Sequence, residues 1–182
     1  PYSKVVTNDA KSDDGLFKVH VIDDKYLFEI PDSLFEREML MVTRIAKNTS
    51  NNSSFGGQKA NTQVLRWQKK AKQVLLRVVS HKIVADEELP VHEAVTNSNF
   101  EPVLFTFPIE AFSDDKTATV VDVTELFNSD VKALGLPDRV RKGYKITRLD
   151  AKKSFIESVN SYPLNIEVRH VKTYAASEPP SN

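Results

Sequence analysis

Cysteine is absent from the 182 residues, which excludes disulfides, thiolate nucleophiles and cysteine-ligated zinc together. Glycine is scarce, with five residues in all, and the adjacent Gly56 and Gly57 lack the lysine and hydroxyl partners of a phosphate-binding loop. No Gly-x-Gly-x-x-Gly fingerprint and no Gly-x-Ser-x-Gly elbow occurs, so neither a dinucleotide site nor a marked hydrolase nucleophile is indicated. Neither sign of charge predominates. The 25 Lys and Arg offset 25 Asp and Glu, leaving no net electrostatic pull toward nucleic acid or an anionic membrane surface. No apolar run approaches the ~20 residues that span a bilayer, and the amino-terminal PYSKVVTNDAK lacks the apolar stretch of a signal peptide.

What the chain does contain is β pattern. In residues 105–110 Phe105, Phe107 and Ile109 alternate with Thr106, Pro108 and Glu110, the period of a strand with one buried face. Turn residues follow at 113–116, and the β-branched Val120, Val121 and Val123 are expected to double back beside that strand. Asp122 then serves as a helix N-cap, Glu125 completes a capping box, and Leu126, Phe127 and Val131 form the apolar stripe of a short helix. Residues 16–21 and 25–30 read as a tight hairpin. Ser33 and Glu36 mark one helical turn, residues 39–45 a strand, and residues 48–61 a long Ser/Asn/Gly-rich loop carrying Phe55. Residues 63–67 and 73–84 form a second hairpin around the basic turn 68–72, and residues 85–90 an acidic connector. Residues 134–141 read as a loop or brief helix. The stretch 150–161 fits a helical stripe or a weak alternator and leans to strand, while residues 165–174 alternate cleanly and are expected to close the sheet.

These elements give a mainly β fold, an antiparallel sandwich or strongly curved sheet of about nine to ten strands with one or two short helices. Residues 1–15 read as an extended arm, residues 16–174 as a single β-rich domain, and residues 175–182 as the start of a linker. At this size roughly 70% of the unfolded chain's surface can be buried, enough for a core without staples.

The chemistry-bearing residues each have a plain structural explanation. His92-Glu93 lacks the second histidine of a zincin helix, the position four residues on being Thr96. His20, His81 and His170 fall on separate strands, where histidines commonly sit as sheet-surface residues. The pairs Asp13-Asp14, Asp23-Asp24 and Asp114-Asp115 sit in turns and fit no EF-hand spacing. The basic turn 69–72 beside Trp67 reads as a solvated hairpin tip. Asn48, Asn51 and Asn52 open glycosylation triplets that are taken as loop composition. No catalytic, metal or cofactor residue is assigned. Trp67 and Phe55 are the expected exposed aromatics of a binding surface.

Five separated blocks carry a resemblance: GLFKVH from Gly15, KYLFEIPDSLFEREMLMVTRI from Lys25, VLRW from Val64, VVDVTELF from Val120 and SYPLNIEVRHVKTY from Ser161. In this order they resemble the domain of unknown function that precedes the catalytic domain in large exported zinc-dependent metalloproteases of gram-negative bacteria. The resemblance implies a non-enzymatic, extracytoplasmic accessory module whose partner is the downstream metallopeptidase domain, with a protein or peptide substrate as a further contact. It implies that zinc and its His-Glu-x-x-His-x-x-Gly-x-x-His ligands belong to that downstream domain, since none of those positions occurs in this sequence. A module that binds a surface glycan or polypeptide is the alternative.

Overall fold

The computed structural model describes residues 1–47, 56–81 and 100–178. Thirteen strands lie among them, all antiparallel where paired, with three short helices and no closed barrel. A five-stranded sheet runs in the order β1 (Lys11–Asp13), β2 (Lys18–Ile22), β3 (Lys25–Pro31), β9 (Ala118–Asp122) and β8 (Ala111–Phe112). A four-stranded sheet follows chain order through β4 (Glu38–Arg44), β5 (Lys59–Lys69), β6 (Gln73–Val79) and β7 (Val103–Pro108). Two ribbons complete the strands: β10 (Ile146–Leu149) with β13 (Tyr174–Ala176), and β11 (Phe155–Ser161) with β12 (Ile166–Val171). The helices are α1 (Tyr2–Val5), α2 (Thr124–Asn128) and α3 (Asp138–Gly143).

The two larger sheets meet face to face across an aromatic core. Phe17, just before β2, and Val19, Phe28, Ile30 and Val121 of the five-stranded sheet pack with Leu65, Trp67, Val74, Leu76 and Phe107 of the other. Trp67 stands at the centre: its ring lies 6.0 Å from that of Phe17, 6.3 Å from Phe28 and 5.4 Å from Phe107, with the first two edge-on, the geometry aromatic quadrupoles favour. Val123 and Leu126 from α2, and Ile156 and Val159 from β11, close the core at one end. A second, smaller cluster sits on the opposite face of the five-stranded sheet, where Leu27, Ala111 and Val120 are covered by Tyr2, Val5 and Val6. That sheet is therefore buried on both faces. β3 and β9 show it in near-continuous burial, where a strand with one wet face would alternate.

Local hairpins form where turn chemistry and alternation foretell them. β2 and β3 pair from Lys18↔Glu29 to Ile22↔Lys25 across a two-residue turn, with Asp23 at φ 51, a left-handed conformation that aspartate tolerates. β5 and β6 pair around the basic turn as expected.

Several expectations are corrected. Residues 1–15 are no free arm: they contain α1 and the edge strand β1, which pairs with β2. The helical turn after Pro31 spans Asp32–Leu34 and receives no side-chain cap from Ser33. The strand at 105–109 and the valine run at 120–123 are not partners. β7 pairs with β6, and β9 pairs with β3 and β8, because the chain crosses from one sheet to the other through residues 109–112. Asp122 accepts a hydrogen bond from the Thr124 amide at 2.9 Å, yet Val123 occupies the N-cap position of α2. Among the described residues β12 closes neither large sheet and pairs only with β11.

The β11–β12 ribbon is fastened to the five-stranded sheet through Gly15. A Cβ at that position would come within 2.6 Å of the Tyr162 carbonyl oxygen, so only glycine allows the approach. Beside it the Leu16 amide donates to the Tyr162 carbonyl at 2.8 Å, the Ser161 amide to Asp13 at 2.7 Å, and the Ser161 hydroxyl to the Phe17 carbonyl at 2.6 Å.

Candidate functional site

The most complete polar constellation lies under α1. β1 and β2 set Ser12 directly opposite His20, and the β2–β3 register sets Glu29 diagonally across from His20 on the same face. Ser12 Oγ stands 2.7 Å from His20 Nδ1, His20 Nε2 stands 2.9 Å from Glu29 Oε2, and Tyr2 donates its hydroxyl to that same oxygen at 2.6 Å. A carboxylate only accepts, so Nε2 carries a proton toward Glu29, while Nδ1 and the Ser12 hydroxyl share a hydrogen bond on the other side of the ring. Burial, followed by the bond to Glu29, pushes the Tyr2 phenol up from its ordinary value. His20 is 1% exposed and Glu29 8%.

The order serine, histidine, carboxylate has the outward form of a nucleophile relay. Catalysis would further require a cradle for the reacting carbonyl, and neither groove described below is lined by any of these four residues. What the arrangement does is fix α1 to the sheet, by satisfying buried polar atoms that would each be costly if left alone.

A second cluster joins the two later helices to β13. Arg141 of α3, 9% exposed, makes a forked ion pair with Asp130, donates to the Leu136 carbonyl at 3.0 Å, and holds its guanidinium 5.1 Å above the Tyr174 ring. The hydrogen bond from Arg141 holds the Asp130 carboxyl below the usual range. Lys172 donates to the Ser129 carbonyl at 2.9 Å, and burial lowers the pKa of its ammonium. Beside this cluster an open groove of about 560 Å³ runs between α2 and β10, lined by Glu125, Asn128, Asp130, Thr147 and Arg148 among others. A smaller groove of about 310 Å³ lies along β7 and the start of α2.

The histidines of the described residues are not brought together. His20 lies under α1, His81 follows β6 and bonds Glu38 at 2.8 Å, and His170 on β12 packs 6.2 Å from Phe127. Burial carries the His170 imidazole down to about 4, and its Nδ1 has no hydrogen-bond partner among the described residues. No group of three or more His, Cys, Asp or Glu among the described residues is placed to hold a metal ion. Of the aspartate pairs, Asp115 plays the turn role expected of it: hydrogen bonds from Ser113 and Thr117 bring its carboxyl down to about 2.

Trp67 requires a correction. It is 5% exposed and forms the middle of the core, because β5 places it on the same face as Leu65, which packs inward. Its neighbours in sequence are the basic turn, but its neighbours in space are Phe17, Phe28 and Phe107. Phe55, His92, Glu93, Asn48, Asn51 and Asn52 lie outside the described residues. Sequence reasoning missed the Tyr2–His20–Glu29 contact. The hairpin register alone would have set Glu29 diagonally across from His20, but nothing in residues 1–10 announces that Tyr2 folds back over them.

A family model, the domain of unknown function DUF5117, matches residues 57–182, more than half of the chain. The chain belongs to this family. A second model, the domain of unknown function DUF5118, matches residues 1–48. Comparison with curated proteins and with solved structures finds no match to the chain. The two matched segments are not separate bodies. β3 of the DUF5118 segment pairs with β9 of the DUF5117 segment, β4 pairs with β5, and both segments contribute to the aromatic core.

Proposed function

We propose that this DUF5117 chain is a non-catalytic accessory domain of an exported zinc metallopeptidase, acting on its downstream catalytic domain by aiding its folding, shielding its cleft or positioning protein substrate. The reading starts from the five-block resemblance described above. The structural observation that carries it is the β11–β12 ribbon. One face of the ribbon buries Ile156 and Val159 in the core, while Phe155 and its cross-strand partner Val171 stand 53% and 37% exposed and Leu164 at the tip stands 88% exposed. Large apolar side chains held out on a firmly anchored hairpin are suited to packing against a neighbouring domain, where each Å² removed from water returns about 25 cal/mol. Zinc and the catalytic glutamate would belong to that neighbour.

The test compares peptidase activity and thermal stability of the longer protein with and without residues 1–182, and with Phe155→Ser plus Leu164→Ser. Loss of stability or activity in both altered forms is expected; unchanged values in both would remove the proposal. The alternative, a module for a surface glycan or polypeptide, loses Trp67 as a contact residue. In its polypeptide form it would use the same ribbon, and it is favoured if the serine variants weaken peptide capture while leaving the protease domain's stability unchanged.

A further inference from the structure

β4 ends the four-stranded sheet, and β5 is its only strand partner among the described residues. Along its other edge, every second residue turns backbone N–H and C=O groups toward no strand of the described chain. Edge strands of solitary proteins are usually guarded by proline, by lysine, by a mid-strand bulge or by brevity. β4 has none of these guards. It runs for seven residues, Glu-Met-Leu-Met-Val-Thr-Arg, with charge only at its two ends and its register slip only at Thr43/Arg44. Met39 and Met41 turn inward onto the core, whereas Leu40 and Val42 lie on the outer face at 69% and 41% exposure.

The order of side chains is complementary to its own reverse. We propose that β4 pairs antiparallel with β4 of a second copy about a two-fold axis at Met41, joining two four-stranded sheets into one of eight strands. In this register Glu38 lies opposite Arg44 of the second copy, Met39 opposite Thr43, and Leu40 opposite Val42. The two-fold axis makes each of these contacts twice. Opposite charges and apolar pairs directly across a ladder are the stabilising combinations, and they fall on the outer face, where the apolar side chains are now exposed. Other registers lose the match. A slip of two residues one way sets Glu38 against Val42, a slip the other way sets Leu40 against Arg44, and parallel pairing sets Glu38 beside Glu38. A seven-residue ladder is smaller than the ~1,200 Å² of a standard stable interface, so the association is reversible and depends on concentration.

Sedimentation equilibrium of the chain over a concentration series reads this directly. The mass is expected to rise from monomer toward dimer. Glu38→Arg and Arg44→Glu, each placing like charges opposite at two symmetric positions, are expected to weaken the dimer about tenfold, and Glu38→Arg/Arg44→Glu to restore it. Glu38 also pairs with Arg66 and His81 within its own chain, so Leu40→Lys, which breaks no internal bond, serves as the independent variant. It too is expected to weaken the dimer. A chain that stays monomeric at every concentration overturns the proposal. So does a dimer indifferent to all three single substitutions, or a double reversal as weak as its parents.

Discussion

β9 and β4 belong to the two large sheets that face each other across Trp67, and they differ in what covers them. β9 is flanked by β3 and β8, with the aromatic core on one face and the α1 cover on the other; four of its five residues are buried. β4 alternates strictly between exposed and half-buried positions, and one of its edges has no strand partner among the described residues. The difference teaches where this domain is closed and where it is open. Burial is concentrated around β3, β9 and the core they line, whereas exposed apolar side chains stand on β4 and on the outer face of the β11–β12 ribbon.

The contrast can be broken most severely from the closed side. Trp67→Ala empties the point where Phe17, Phe28 and Phe107 converge, and is expected to cost about 3–5 kcal/mol, read as a lowered urea midpoint. Next comes Glu29→Ala, which strands His20 Nε2 and the Tyr2 hydroxyl beneath α1. A loss of up to about 3 kcal/mol is expected, together with faster hydrogen exchange in residues 2–6. A loss without the faster exchange would mean that α1 is held by something other than this network.

Acid should open the ribbon side. Burial carries His170 from an ordinary 6.5 to about 4, so its contribution is fully present above the unfolded value and is lost as pH falls from 6.5 toward 4. The expected loss is about 2 kcal/mol, after allowing for the water that reaches part of the ring. His170→Leu should flatten the urea midpoint across that window. Asp130, whose carboxyl is held low by Arg141, adds a further loss only at more acidic pH. The smallest effect is expected at the open edge: Leu40→Thr, at a concentration too low for self-association, should shift stability by no more than about 0.5 kcal/mol.

How far the sequence discloses this arrangement depends on the range of the contact. The β2–β3 and β5–β6 hairpins are legible because turn and partner strand are adjacent, and alternation fixes their register. The valine run at 120–123 announces a strand but not its neighbour. β9 passes over the nearby β7 and pairs with β3, some ninety positions earlier, and no local pattern encodes that choice. Trp67, expected on a binding surface, lies two residues from Leu65 on the same strand face, and that spacing places it in the core. Of the polar constellation, His20 and Glu29 were within reach of the hairpin register, while Tyr2 and Ser12 were hidden in a segment too short and polar to look like part of a fold.

Native-state hydrogen exchange on the whole chain tests most directly whether the DUF5118 and DUF5117 segments are one interlocked body. If they are, amides of β3 and of β9 open with equal free energies, and both respond equally to Trp67→Ala. Amides of residues 1–47 that exchange through an opening leaving β9 and the Trp67 core protected would contradict it.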